Sequence, residues 1–226
     1  MKNILVIAAH PDDEVLGVGG TMARLASEGK NVYVLIVTDG SSSQYSSDPD
    51  LAGILKAKEE ETRRCAEVLG VKKVIYGGLP DMKLDTVAHI EINKVIEKVI
   101  DEIQPDTVFT HFWGDVNADH QNVYKSTLVA VRPLMGQVVK RLLCYRVPSS
   151  TEWTPCKPDT MFVPNVFVDI HSVAQRKYDA FSMYATELRD YPHPRSKRHL
   201  SELDTANGLQ VGLRCAETFM LLREIL

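Results

Sequence analysis

Cysteine is scarce in this chain of 226 residues: four are present, Cys65, Cys144, Cys156 and Cys215, and no two form a Cys-x-x-Cys pair. That excludes a zinc ribbon and a disulfide framework, so any metal site must be built from histidine and carboxylates. An excess of basic charge is also missing, since 26 Lys and Arg stand against 30 Asp and Glu, for a formal net charge of -4. Such a chain has no general attraction for phosphate backbones or anionic lipid, and no nucleic-acid partner is expected. No apolar run approaches the ~18 residues that cross a bilayer. The opening residues lead into a short strand-like run without a cleavable apolar segment. These absences predict a cytoplasmic protein with no membrane span. No repeat, low-complexity tract or Pro/Gly linker divides the chain, and its length suits one core, so residues 1–226 are expected to form a single domain.

What is present is alternation. Residues 3–9 (NILVIAA) and 31–37 (NVYVLIV) are near-continuous apolar runs, the pattern of strands buried on both faces of a parallel sheet. Between them residues 14–27 are rich in helix formers and stop at Gly29, a helix-terminating glycine. Leu55, Thr62, Cys65, Ala66 and Leu69 share a helical face that closes at Gly70, before a short strand at 73–76. A helix marked by Val87 to Ile103 precedes a strand at 107–110, and another marked by Val123 to Leu134 precedes a strand near 138–145. This order predicts an α/β, Rossmann-like fold, a mostly parallel sheet with helices on both faces. Farther on, 165–170 reads as a strand, 173–188 and 197–207 as helices, and 190–195 (DYPHPR) as an irregular loop because its prolines resist helix. The apolar tail Phe219-Met220-Leu221-Leu222 either completes the core or contributes to a homo-oligomer interface.

Charge is concentrated where it is costly. Directly after the first strand comes Ala8-Ala9-His10-Pro11-Asp12-Asp13-Glu14, three acids and a histidine at the carboxyl end of a buried strand. One acid would be explained by the positive end of the following helix; three acids with a histidine are better explained by a divalent cation that neutralises them. A second cluster, His111-Phe112-Trp113-Gly114-Asp115-Val116-Asn117-Ala118-Asp119-His120, follows the fourth strand and again leads into a helix. In a doubly wound sheet these two loops lie side by side where the strand order reverses, so the clusters should meet. Imidazoles and a carboxylate without thiolate suit zinc (Zn2+), with ferrous iron (Fe2+) as the alternative, and an incomplete protein ligand set leaves room for water. Zinc lowers the pKa of bound water from about 15.7 to about 7, which makes a nucleophile able to attack an amide carbonyl.

The run Ala9-His10-Pro11-Asp12-Asp13-Glu14 with Gly17 and Gly20 resembles the opening signature of the LmbE/PIG-L-type N-deacetylases, and Asp119-His120 resembles their second metal motif. The likeness continues through Leu69-Gly70-Val71, Leu79-Pro80-Asp81, Pro192-His193-Pro194-Arg195-Ser196 and Ala216-Glu217. It implies a Rossmann-like fold and zinc-dependent removal of the acetyl group from an N-acetylglucosamine-type amino sugar or its conjugate. By the same resemblance His10, Asp13 and His120 are the metal ligands, Asp12 is the general base, and Asp81 contacts sugar hydroxyls. Where many relatives carry His-Pro-Asp-His this chain has Asn117-Ala118-Asp119-His120, and asparagine can donate a hydrogen bond but cannot act as an acid. His193 is therefore expected as a further catalytic donor near the reacting carbonyl, with Asn117 and Arg195 on the substrate.

The remaining candidates have plainer alternatives. Asp119 either caps its helix or accepts a hydrogen bond from a metal-bound histidine. Asp81 and Asp115 are also ordinary turn residues. His111 matches no ligand spacing, His89 is read as a solvated surface histidine, and the sequence names no partner for His171 and His199. Gly17, Gly19 and Gly20 do not form Gly-x-Gly-x-x-Gly, so close helix packing is favoured over a dinucleotide loop, and Lys58 lies on a solvated helix face that could border the pocket. Two other functions fit the same residues: a metal-dependent amidase acting on another small acylated amine, and a non-catalytic sugar- or nucleotide-binding module with a structural cation. Acetate release separates the last from the first two.

Overall fold

The computed structural model describes residues 2–40 and 50–226. Seven strands, β1 (Asn3–Ala8), β2 (Asn31–Thr38), β3 (Lys73–Leu79), β4 (Thr107–His111), β5 (Arg141–Tyr145), β6 (Val166–Asp169) and β7 (Ala216–Glu224), form one sheet in the order β3-β2-β1-β4-β5-β7-β6. The first five pair in parallel with their neighbours, and β7 runs antiparallel between β5 and β6. The helices are α1 (Asp13–Ser27), α2 (Leu51–Leu69), α3 (His89–Ile103), α4 (Ala118–Ala130), α5 (Ala174–Phe181) and α6 (Lys197–Leu209). This is the mostly parallel, Rossmann-like arrangement expected from the alternation of apolar runs. Among the described residues no helix is long and apolar enough to cross a membrane.

The unbroken apolar run of β1 is explained by two cores. Ile4 and Val6 face α1, α2 and α5 through Val18, Met22, Cys65, Leu69 and Phe181, while Leu5 and Ile7 face α3 and α4 through Ile96, Val99, Ile100 and Val123. Successive strand residues point to opposite faces, so a strand with helices on both sides must be apolar throughout. Each such side chain, at 0% exposure in β1, contributes about 1.5–3 kcal/mol by burial, comparable with the ~1–2 kcal/mol of backbone entropy lost per residue. The strand is thereby a rigid mount for whatever follows it. The glycine cluster serves packing, as expected: a Cβ on Gly17 would lie 2.2 Å from Cδ2 of Tyr145, and one on Gly20 would lie 2.6 Å from Cδ1 of Ile170.

The ends of several elements depart from the sequence expectations. The helix foreseen over 173–188 stops at Phe181, because the next amides, Met183 and Tyr184, donate to the carbonyls of Ala180 and Phe181 at 3.0 and 3.1 Å and tighten the chain into turns. The strand foreseen from 138 begins at Arg141, since the amides of Lys140 and Arg141 both bond the Asp106 carbonyl and Val139 N–H is taken by the Gln137 side chain. The apolar tail, for which a core or an interface role was expected, lies in β7: Phe219 is fully buried, its ring centroid 4.9 Å from that of Phe109 in an edge-on contact, while Met220, Leu221 and Leu222 are half-buried.

β1 and β4 are adjacent in the sheet, and their following helices diverge from that seam. The crevice at their carboxyl ends is the topological switch point at which ligands bind in open α/β sheets.

Candidate metal centre and its pocket

The loop after β1 is held on both sides. Ala9 N–H donates to His111 Nε2 on β4 at 2.8 Å, and the Ala9 carbonyl accepts from Thr38 N–H and Thr38 Oγ1 on β2 at 3.1 and 2.8 Å. His10 N–H then donates to Asp13 Oδ2 at 2.9 Å, which turns the chain so that His10 and the first residue of α1 face one another. From the other side Asn117 caps α4, its Oδ1 accepting from Asp119 N–H at 2.9 Å, and this starts a helix whose first turn carries His120.

These constraints bring three donor atoms together. His10 Nδ1 and His120 Nε2 each lie 3.3 Å from Asp13 Oδ2, and the two nitrogens are 3.3 Å apart. The edge of a tetrahedron with metal–ligand bonds of 2.0–2.1 Å is about 3.3–3.4 Å, so the triangle fits one face of a four-coordinate zinc site. Among the described residues, His10, Asp13 and His120 are also the cluster able to hold a metal ion.

The far nitrogen of each imidazole meets a carboxylate. His10 Nε2 lies 3.1 Å from Asp119 Oδ2, and the other Asp119 oxygen accepts from Leu84 N–H at 3.0 Å. His120 Nδ1 lies 3.2 Å from Asp115 Oδ1, and Asp115 is fixed by Asn117 N–H at 2.8 Å, by Thr151 Oγ1 at 2.6 Å and by the Ser150 hydroxyl. Carboxylates in this position fix the tautomer and orientation of metal-binding histidines. His111 stacks on His120 with ring centroids 4.0 Å apart, and by accepting from Ala9 N–H its Nε2 is committed as an acceptor.

The electrostatics ask for a cation. Burial opposes charge on His10, yet hydrogen bonds to Asp119 and Asp13 push its pKa up to about 10. Burial likewise opposes charge on His120, which Asp13 and Asp115 push up to about 9. Burial would raise Asp13, but the imidazoles of His120, His111 and His10 hold its carboxyl well below the usual range. The carboxylates favour protons on these imidazole nitrogens, and a divalent cation held by His10, Asp13 and His120 would supply the same positive charge in their place.

A pocket of about 180 Å³ opens over this centre, lined by His10, Pro11, Asp12, Gly40, Lys58, Asp81, Met82, Asn117, Glu187 and Arg195. Asp12 is 2% exposed, and its Oδ2 has no hydrogen-bond donor among the described residues, although Arg195 Nη1 stands 3.2 Å away. Burial pushes the Asp12 carboxyl well above its ordinary value, against the pull of Arg195. The same guanidinium bonds Glu187 at 2.8 Å and Ser149 Oγ at 2.8 Å, and Glu187 pairs with Lys58 at 3.0 Å. Asp81 Oδ1 accepts from Thr38 Oγ1 at 3.2 Å and lies 3.6 Å from His10 Nε2. A larger groove of about 570 Å³ between α2 and β3 lies away from this chemistry.

The expected ligands, Asp12, Asp81, Asn117 and Arg195 are thus gathered in one place, with Asp119 behind His10. His193 is not brought to the pocket wall: its Nδ1 accepts from Arg195 N–H at 3.0 Å, and its ring stands edge-on to Trp153. Sequence reasoning passed over Asp115 as the carboxylate behind His120, although its place in the same short loop was a signal. It also passed over Glu187, which no local pattern marks.

A Rossmann-like sheet whose switch point carries a His-Asp-His triangle, open to a polar pocket, presents a candidate metal site of the kind that hydrolases use. Residues 5–131, more than half of the chain, match the family model for PIG-L, GlcNAc-PI de-N-acetylase, and the chain belongs to that family. It is 30% identical to the uncharacterized deacetylase YaiS of Escherichia coli (strain K12), over 75% of this chain and 82% of that protein. It is 36% identical to the diacetylchitobiose deacetylase of Thermococcus kodakarensis, over 48% of this chain and 40% of that one. Among solved structures, a conserved protein of Thermus thermophilus superposes with a TM-score of 0.77 at 25% identity, covering 100% of this chain and 97% of the other.

Proposed function

We propose that this chain is a zinc-dependent hydrolase that removes the acetyl group from an N-acetylglucosamine-type amino sugar or its conjugate. The observation that carries the metal assignment is the triangle of His10, Asp13 and His120 donor atoms, with edges of 3.3 Å. Ferrous iron is the alternative occupant, because the donor set lacks a thiolate that would favour zinc outright. A divalent metal held there supplies a nucleophile from water at neutral pH and polarises the acetamide carbonyl.

The protein's own groups do the rest. Asp12, buried beside the ligands with an oxygen free of hydrogen-bond donors among the described residues, takes the proton from the attacking water and returns it to the departing nitrogen. Burial raises its pKa above the ordinary carboxylate range, against the pull of Arg195, which favours uptake of a proton. Asp81 and Arg195 face the pocket as an acceptor and a donor for sugar hydroxyls. The Asn117 side-chain amide, whose oxygen is used in capping α4, keeps its NH2 at the pocket wall beside Met82 Sδ, 3.6 Å away, and is the donor nearest in kind to the histidine of relatives. His193 acts by holding the Arg195 backbone rather than by touching the carbonyl. The pocket of about 180 Å³ is smaller than the ~300–1,000 Å³ of drug-sized ligand sites and suits a compact polar group such as a sugar ring. Unpaired Cys65, Cys144, Cys156 and Cys215 support a cytoplasmic setting.

Acetate release from N-acetylglucosamine and its glycosides is the test, with zinc- and iron-loaded protein compared and Asp12→Asn as the control. Acetate from the wild type and none from Asp12→Asn is expected. Sugar binding without acetate would establish the non-catalytic module instead; release from other acylated amines alone would establish the amidase.

A further inference from the structure

Asp12 has a backbone conformation that a residue with a Cβ rarely adopts, φ 107° and ψ -28°. Such a conformation persists where the surroundings over-determine it. Two sets of contacts do so here, and both lead back to one turn.

The first set acts on the backbone. Asp12 N–H donates to Glu14 Oε2 at 3.0 Å, and the other oxygen of that carboxylate accepts from Tyr184 Oη at 2.6 Å. Glu14 and Tyr184 are 3% and 1% exposed, so neither hydrogen bond is exchanged with solvent. The second set acts on the carboxylate. Arg195 Nη1 lies 3.2 Å from Asp12 Oδ2 and is itself held by Glu187 Oε2 at 2.8 Å. Tyr184 and Glu187 belong to the turn that follows α5, where Glu187 N–H donates to the Tyr184 carbonyl at 3.0 Å.

We infer that the turn after α5 is a positioning element for the base: Tyr184, through Glu14, sets the backbone of Asp12, and Glu187, through Arg195, sets its carboxylate. The inference rests on the assignment of Asp12 as general base. A buried glutamate beside two other acids is a costly way to fill a core, and an apolar side chain would pack there at less expense. Here one oxygen of Glu14 accepts the strained amide and the other accepts the tyrosine hydroxyl, with Cys65 Sγ 3.8 Å from that second oxygen.

Tyr184→Phe keeps the ring and removes only the hydroxyl. In zinc-loaded protein assayed for acetate release, kcat is expected to fall about 10- to 100-fold, as for a small misplacement of a reacting group. KM stays within about twofold and bound zinc is unchanged, since neither substrate contacts nor metal ligands are touched. Glu14→Gln, which keeps one acceptor oxygen, retains part of kcat, and Glu14→Leu loses it. The Asp12 amide resonance in a 15N–1H spectrum, read without substrate, moves in both Tyr184→Phe and Glu14→Leu. An unchanged kcat or an unmoved Asp12 amide overturns the positioning role. Wild-type protein that releases no acetate overturns the functional assignment instead, and the amide resonance then decides the positioning contact alone.

Discussion

Replacing Asp119 with asparagine changes one oxygen for an NH2 and leaves the side chain's size intact, so it isolates the carboxylate behind His10. In the wild type Asp119 Oδ2 stands 3.1 Å from His10 Nε2, while Oδ1 is occupied by Leu84 N–H at 3.0 Å. The asparagine oxygen can keep the Leu84 bond, which directs the NH2 toward His10 and sets donor against donor. His10 must then rotate, lose its partner or flip its tautomer, and each of these withdraws Nδ1 from the triangle with Asp13 and His120. Loss of such a partner costs about 10- to 100-fold in metal affinity, or about 1.4–2.7 kcal/mol. Competition against a chromogenic chelator measures zinc affinity directly, and Asp119→Ala, which removes the Leu84 contact as well, should fall at least as far. Asp115→Asn, acting through His120 at 3.2 Å, should lower affinity in the same range. Zinc affinity within about twofold of wild type in Asp119→Asn would refute the reasoning, because His10 would then not need an acceptor to hold its metal-binding geometry.

The remaining predictions concern pH, packing and the second buried charge cluster. Hydrogen bonds that outweigh burial raise His10 to about 10, and carboxylates that outweigh burial raise His120 to about 9, from 6.5. Their contribution to the stability of metal-free protein is therefore full below pH 6.5 and lost as pH rises through 9 to 10, whereas zinc-loaded protein, with neutral imidazoles, loses this dependence; denaturant unfolding across pH in both forms reads it. Gly17→Ala places a Cβ against the Tyr145 ring and should cost about 1–3 kcal/mol of stability by overpacking. Because the Tyr145 hydroxyl lies 3.2 Å from His111 Nε2, zinc binding should weaken with it. Lys177, 1% exposed, pairs with Asp204 and Glu217 at 2.9 Å, and Glu217 caps the amides of Gly20 and Thr21 at 2.8 and 2.7 Å. Lys177→Met leaves two buried carboxylates unpaired and should destabilise by about 3–5 kcal/mol at pH 7, measured by urea unfolding, with partial recovery in acid as the carboxylates take up protons.

What could be read along the chain was whatever depends on local pattern. The apolar runs of residues 3–9 and 31–37, with a helix between and Gly29 after it, suffice for a parallel unit, because a strand covered on both faces must be apolar at every position. The meeting of His10, Asp13 and His120 was legible for a related reason: His10 and Asp13 directly follow one buried strand, His120 follows another, and the handedness of crossovers makes those two loops neighbours. Asp119 was legible too, as an acid beside a ligand at a helix start. The end of α5 was not, since residues 173–188 carry a helical pattern, whereas the chain after Phe181 tightens into turns that bring Tyr184 to Glu14 and Glu187 to Arg195.

The tertiary structure alone decided which groups hold the proposed base. Tyr184 reaches Glu14 across 170 residues of sequence, and Arg195 reaches Asp12 from a loop whose histidine had seemed the better candidate. Local spacing carries information about neighbours along a strand or a helix, where the backbone repeat fixes distance. It carries none about side chains that meet only because two cores, one on each face of the sheet, have closed around the same crevice.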